Sequence, residues 1–296
     1  MFDPTTRKEF NMSTVDTTGF WYRGTPLWST VHVNGNEKLG LKSASLFWVG
    51  GSQNCSGEGY PDWYLPFNQS YSFAKRVNTT IDLMLKGYQL IMTYFDQPDH
   101  DGHEFGPIVE VVKYINIYVY IVHFFLYHLF GLLTKTAQET QAVDWYIGDL
   151  LRQMDEHDLT STTDLIIVAD HGMASIEGVI DMNSTIFNPF DMSSGDFYVS
   201  SYSPLFAFYY TGNASDADLD TWVNMFTASV VDPLQEDLFQ IWKRDDIPPA
   251  WNYNMPGYHH RIPDILAVTN IGYNFKWTDI PPSVSVCKSF SVFFDK

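Results

Sequence analysis

Two short apolar runs, Gln89 to Phe95 (QLIMTYF) and Asp164 to Ala169 (DLIIVA), each lead straight into an acidic loop that contains histidine. Runs of this length, rich in branched and aromatic residues, read as buried strands. A strand that ends in a polar loop is how α/β folds present chemistry at the carboxyl end of a sheet. Between the runs, Val143, Tyr146, Ile147, Leu150, Leu151 and Met154 recur at helical intervals within Ala137 to Met154. That spacing predicts an amphipathic helix whose stripe packs on a core. Strand, helix and strand in alternation predict one α/β domain, and 296 residues are enough to bury a substantial core.

Composition removes several function classes. With 45% hydrophobic and 18% charged residues, the chain is a folded one rather than a disordered one. The 35 acidic residues against 17 basic ones give a formal charge of −18, which repels a phosphate backbone and excludes nucleic acid as a partner. Two cysteines, Cys55 and Cys287, supply neither a disulfide framework nor a zinc-thiolate cluster. Six glycosylation sequons, at Asn11, Asn54, Asn68, Asn78, Asn183 and Asn213, favour passage through the secretory pathway. The stretch from Met1 to Phe10 holds Asp3, Arg7, Lys8 and Glu9 and no apolar core, so it is not a signal peptide, and the expectation is that the natural start lies upstream.

Residues 114–133 contain no Asp, Glu, Lys or Arg, and twenty such residues can cross a bilayer as a helix. A span there would place the two His-containing loops on opposite sides of a membrane. Their chemistry requires them to meet, so residues from about 111 to 135 are expected to be an apolar insertion that protrudes from a soluble domain.

The first loop reads Asp96-Gln97-Pro98-Asp99-His100-Asp101-Gly102-His103-Glu104, and the second Asp170-His171-Gly172-Met173. Taken singly, each histidine is an ordinary loop residue. The repeated pairing of a carboxylate with an imidazole is what suits a borderline cation such as Zn²⁺, and two pairs suit two ions. Two ions about 4 Å apart can stabilise both the attacking and the leaving oxygen of a phosphoryl displacement. Asp99 and His103 stand at i and i+4 and converge if the loop takes one helical turn. His100 and Asp101 are expected to be solvated bystanders.

The stretches DQPDHDGHEFGP and ADHGM resemble the two metal-binding signatures of the ectonucleotide pyrophosphatase/phosphodiesterases of the alkaline phosphatase superfamily. Further similar stretches follow in order: MFDP from Met1, GTPLW from Gly24, LFWVGGS from Leu46, Ser203-Pro204, and RIPDI from Arg261. The resemblance covers nearly all of the chain outside the apolar insertion and an atypical tail from about 283 to 296. It implies an α/β fold with an alkaline phosphatase-like mixed sheet flanked by helices, truncated at both ends, and a single partial catalytic domain over residues 1–296. The implied activity is hydrolysis of phosphodiester or pyrophosphate bonds in extracellular nucleotides with two zinc ions, one on Asp99 and His103 and the other on Asp170 and His171. Trp48 is implied to lie near the substrate, with Phe67 and Tyr94 flanking the base, since every base offers a π face to an aromatic ring. The implied partner is a nucleotide or another phosphodiester small molecule, at an extracellular or cell-surface location, with membrane association through missing termini and N-glycans on the six sequons.

Two departures from the family pattern bear on activity. The family's nucleophilic threonine and a further metal-binding aspartate precede the segment similar to MFDP, and so fall before residue 1; Thr5 and Thr6 follow that segment and do not replace it. The sixth ligand, a histidine in a GxHGxDN-like motif, should follow RIPDI, whereas His259 and His260 precede it. Each ion is then left with two protein ligands, so weakened or partial zinc occupancy and little phosphodiesterase activity are expected of this chain. A non-catalytic metal- or nucleotide-binding ectodomain, and a phosphodiesterase acting on lysophospholipid or choline-phosphate esters, are the alternatives.

Overall fold

The structure, a computed structural model, describes residues 2–10, 19–22, 24–31, 40–57, 59–107, 135–183, 197–202, 204–210, 212, 215–253 and 259–278. The chain divides into two units, one of residues 15–169 and the other of residues 1–14 with 170–296. The apolar insertion from about 111 lies outside the described residues up to Lys135, as does the tail from 283. Among the described residues, no helix is long and apolar enough to cross a membrane. The short antiparallel pair β1 (Phe2–Asp3) and β2 (Lys8–Glu9) opens the chain and belongs to the second of these units.

In the unit of residues 15–169, a short helix, α1 (Leu27–Val31), precedes three parallel strands. These are β3 (Ser43–Leu46), β4 (Trp63–Leu65) and β5 (Leu90–Thr93), in the order β4-β3-β5. Parallel neighbours need a crossover between them, and helix α2 (Phe73–Leu85) supplies the one from β4 to β5. Ser72 caps it by accepting the Lys75 N–H on its hydroxyl at 3.4 Å. Val77, Thr80, Ile81 and Leu83 are buried along α2, together with Arg76. The short helix α3 (Asp99–Phe105) follows β5, and the long helix α4 (Lys135–Glu156) then packs on α2. The edge of the Tyr146 ring meets Phe73 at 5.6 Å, and the Gln153 amide donates to the Asn78 side chain at 3.1 Å. The helix expected from Ala137 to Met154 is therefore present; its stripe is half-buried, with Met154 fully enclosed and Leu151 exposed.

The first expected strand is also present, its ladder running from Leu90 to Thr93 within Gln89 to Phe95. The second is not. Residues 163–169 form neither helix nor strand, and Leu165, Ile166, Ile167 and Val168 are exposed, Ile166 by 81%. Branched apolar residues supply the tendency to extend, but a strand also needs a sheet edge to receive its N–H and C=O groups. The three-stranded sheet of this unit ends at β5, and the 164–169 run does not pair with it.

The other unit is built on an antiparallel sheet in the order β7-β8-β10-β9. Before it comes β6 (Gly178–Asn183); its own strands are β7 (Phe197–Tyr202), β8 (Leu205–Tyr210), β9 (Phe239–Lys243) and β10 (Ile265–Thr269). Side chains alternate across it with the period of two that a pleated strand imposes. Phe206, Phe208, Ile265 and Ala267 enter one core, while Ala207, Tyr209 and Leu266 enter another on the opposite face. Helix α5 (Asp216–Ala228) covers the first face, its Phe226 ring 4.7 Å from Phe206. A reciprocal capping box between Ser215 and Asp218 starts α5. The parallel pair of β6 with β11 (Tyr273–Thr278) adds Ile180, Met182, Phe275 and Trp277 to the same core.

On the other face, Phe2 stacks on Tyr198 with centroids 3.9 Å apart, carrying Asp3 into the interior. The Asp3 carboxylate accepts from the Arg261 Nε at 2.6 Å and from the Thr6 backbone N–H at 2.9 Å. The buried Tyr209 hydroxyl donates to the Arg261 carbonyl at 3.1 Å. Burial pushes the Asp3 carboxyl up, but the Thr6 N–H and the Arg261 guanidinium outweigh it and hold the group below the ordinary range. A carboxyl depressed in the folded state stabilises the fold fully above its unfolded pKa of about 3.9, and this contribution is lost as pH falls through the lower folded value. Asp3→Asn should therefore lower stability at neutral pH by about 3–5 kcal/mol, because a buried guanidinium loses its counter-ion. It should also flatten the acid limb of stability against pH measured by urea unfolding; an unchanged acid limb would show that Asp3 is not the group that titrates there.

Candidate functional site

Beyond β5 the chain passes Tyr94, Phe95 and Asp96 and enters α3 at Asp99. One turn of α3 brings Asp99 Oδ1 within 3.4 Å of His103 Nε2, the convergence expected of an i, i+4 pair. Both side chains are about one-third exposed, and the Asp99 Oδ1 that faces His103 is itself enclosed. The turn is fixed at each end. The Gln97 amide donates to Asp101 Oδ1 at 2.8 Å, and its carbonyl oxygen accepts the Asp101 N–H at 3.1 Å. Asp101 is thus a partner in the start of the helix, not the solvated bystander expected from the sequence, because the amide side chain four residues earlier satisfies both its carboxylate and its backbone. His100 is exposed. At the far end Gly106 has φ 81°, a left-handed conformation that glycine adopts without a Cβ penalty, and its carbonyl accepts from Thr136 Oγ1 of α4 at 2.7 Å.

Asp170 and His171 belong to the other unit. His171 Nε2 lies 3.8 Å from Asp170 Oδ2, and the His171 N–H donates to Asp170 Oδ1 at 3.1 Å. His171 Nδ1 stands 2.9 Å from the Gly172 carbonyl, which can only accept. A hydrogen bond there puts the proton on Nδ1 and leaves the Nε2 lone pair for a cation, the arrangement that metal-binding histidines use. The sequence-predicted ligands thus come together as two pairs, Asp99 with His103 and Asp170 with His171, each within its own unit. Among the described residues, no group of three or more His, Cys, Asp or Glu side chains is gathered to hold a metal ion. The donor types fit zinc; each pair supplies two of the donors that a zinc site needs.

The three aromatic candidates fall into two places. Trp48 is half-buried against Trp28, Cys55 and Met92, and with Tyr22 and Pro26 it lines a cavity of about 240 Å³. Burial pushes the Cys55 thiol above its ordinary range and makes it unreactive. Phe67 and Tyr94 are not in that lining; they meet each other, centroids 6.4 Å apart and planes at 65°. This is an edge-to-face contact. A base can lie between the rings only if Phe67, which is 54% exposed, turns aside.

Arg76 is the residue that the sequence reading missed. It is buried in α2, and its Nε donates to the Tyr71 carbonyl at 3.1 Å. Its Nη1 donates to the Tyr94 carbonyl at 3.0 Å and to Asp96 Oδ1 at 2.6 Å. The guanidinium carbon lies 4.9 Å from the centre of the Phe47 ring and 4.8 Å from that of Phe73. The available signal was register: Arg76 stands in step with Phe73, Val77 and Thr80, where a surface charge does not belong.

A sequence profile described as type I phosphodiesterase / nucleotide pyrophosphatase matches residues 1–287. The chain belongs to this family. Human ectonucleotide pyrophosphatase/phosphodiesterase family member 5 is 24% identical over 280 residues, covering 93% of this chain and 48% of its own length. The bis(5'-adenosyl)-triphosphatase of Xenopus laevis is 25% identical, covering 92% of this chain and 50% of its own. The chain thus spans about half the length of these curated relatives. A solved structure of murine ectonucleotide pyrophosphatase/phosphodiesterase 5, an inactive variant in complex with AMP, aligns over 93% of this chain and 62% of its own with a TM-score of 0.66 and 22% identity. That likeness shows the fold, the α/β alkaline phosphatase-like arrangement expected from the sequence.

The capping role of the Gln97–Asp101 pair predicts that Asp101→Ala lowers stability in urea unfolding by about 1 kcal/mol. His100→Ala should change it by less than about 0.5 kcal/mol. Equal losses from the two would remove the distinction drawn between them.

Proposed function

We propose that this chain carries the nucleotide-recognising and metal-holding part of an extracellular phosphodiesterase, in a protein that hydrolyses phosphodiester or pyrophosphate bonds of nucleotides. The observation that carries the reading is the Asp99–His103 pair, 3.4 Å apart on one helical turn beyond β5, in a chain of this family. Tyr94, five residues earlier, and Phe67 against it give that turn an aromatic neighbour. The murine relative solved with AMP supports a purine nucleotide as the ligand. Asp99 and His103 would hold one zinc ion, and Asp170 and His171 the other. Zinc, when bound, polarises phosphoryl oxygens as a Lewis acid. The rings of Tyr94 and Phe67 would take the base by stacking, which orients the phosphate end toward the carboxylate-imidazole pair.

Binding of AMP to the chain with added zinc, followed by equilibrium dialysis, tests this reading. Tyr94→Ala and Phe67→Ala should each weaken binding by about 1–3 kcal/mol, the range for loss of a base-stacking ring. His103→Gln should abolish the dependence on added zinc. Absence of AMP binding by the unsubstituted chain would sink the proposal.

The extracellular part of the reading singles out one sequon. Asn68 is exposed in a turn where Ser70 donates to Asn68 Oδ1 from its N–H at 2.9 Å and its hydroxyl at 2.7 Å. By contrast, Asn54 Oδ1 is engaged by the Gly59 N–H, and Asn78 lies within α2 facing Gln153. In chain secreted from eukaryotic cells, Asn68→Gln should remove one glycan by mass spectrometry, and Asn78→Gln none. A glycan found on Asn78 but not on Asn68 would reverse that ranking.

A further inference from the structure

We infer that Arg76 is the positioning residue that ties the base-flanking Tyr94 to the Asp99–His103 turn; the inference rests on the nucleotide reading just given. Burying a guanidinium is costly unless its donors are met, and Arg76 lies in the apolar stripe of α2 with 1% of its side chain exposed. Two of its three hydrogen bonds go to the segment that leaves β5, and the third goes to the Tyr71 carbonyl just before α2. Nη1 reaches the Tyr94 carbonyl and the Asp96 carboxylate together, bracketing Phe95. Asp96 then passes the constraint on. Its side chain is held by Arg76, and its carbonyl accepts the His100 N–H at 3.2 Å, the first hydrogen bond of the α3 turn. From Arg76 to the turn that aligns Asp99 with His103 there are thus two hydrogen bonds and one residue, Asp96.

The same guanidinium faces the rings of Phe47 and, at 6.0 Å, Phe67. It therefore touches the surroundings of both base-flanking rings, Tyr94 through its carbonyl and Phe67 through its face. Only a planar fork can stack on rings and donate along its edge at once; a lysine ammonium is a point charge that cannot. The hydrogen bonds of the Arg76 side chain go to Tyr71, Tyr94 and Asp96, not to the Asp99 or His103 side chain. Its role is to set where they stand.

The test uses the full chain with Arg76→Lys, Asp96→Asn and the double variant. Hydrogen exchange followed by mass spectrometry is read over residues 94–106, with α2 and α4 as controls, and AMP binding with zinc is measured alongside. Expected for Arg76→Lys are exchange over 94–106 faster by about ten-fold, control helices within about two-fold of the unsubstituted chain, and an AMP Kd about ten-fold higher, as when a supporting partner of a ligand is lost. Asp96→Asn should reproduce the pattern, and the double variant should add little to either single one. Unchanged exchange over 94–106, or faster exchange spread evenly over α2 and α4, overturns the inference. If Arg76→Lys does not fold, Asp96→Asn reads the same link from its other end. Should the unsubstituted chain fail to bind AMP, the nucleotide reading falls, and the exchange data still decide whether Arg76 positions the turn.

Discussion

A guanidinium buried among aromatic rings can be satisfied only in its own plane, and that requirement organises the unit of residues 15–169. Arg76 projects from α2 into the space beyond the strand ends, where Phe47, Phe73 and Phe95 surround it and the Tyr94 carbonyl and Asp96 meet its edge. Phe47 follows the last residue of β3 with φ 66°, a left-handed backbone that is unfavourable for a bulky side chain. The stacked guanidinium 4.9 Å away and the edges of Phe67 and Tyr71 at 5.5 and 5.6 Å hold that ring in place and offset its strain. The other unit uses the same device. Asp3 and Arg261, separated by 258 positions in sequence, are joined in a buried ion pair that fastens the start of the chain beneath β8 and β10. In both units an Arg–Asp pair holds a segment that hydrophobic burial alone would leave able to slide.

What the sequence revealed and what it hid follow from this. Leu90–Thr93 and the helix of Lys135–Glu156 were legible because periodicity and burial agree there. The pairing of Asp99 with His103 was legible because four residues are one helical turn. The run from Asp164 to Ala169 misled, since its apolar composition states a preference for burial and says nothing about which edge will receive it. Asp101 misled for the opposite reason: a carboxylate among glycine and histidine looks solvated until Gln97 is seen to bond both its oxygen and its N–H. Arg76 stayed hidden because a charged residue on a helix ordinarily marks the outer face, and only the three acceptors supplied from Tyr71, Tyr94 and Asp96 reverse that expectation. Resemblance named Trp48, Phe67 and Tyr94 together, yet it could not say that Trp48 lines one cavity while the other two meet edge to face elsewhere.

The charge of the turn itself bears on how an anionic ligand could approach it. Between Asp96 and Gly106 the chain carries Asp96, Asp99, Asp101 and Glu104 and no lysine or arginine. Arg76, a cation against this stretch, is already matched by Asp96 at 2.6 Å and buried behind it. The carboxylates of Asp99, Asp101 and Glu104 therefore give the turn a negative charge that opposes an approaching phosphate, over the roughly 8 Å within which salt at physiological strength leaves charges able to interact. A chain of formal charge −18 reinforces the repulsion. A phosphodiester could be stabilised at such a turn only if a cation reversed the local potential, and a bound divalent ion is the largest local charge a site can acquire. The acidity of the α3 turn and its carboxylate-imidazole geometry thus argue for the same ligand order, the cation first and the phosphate after it.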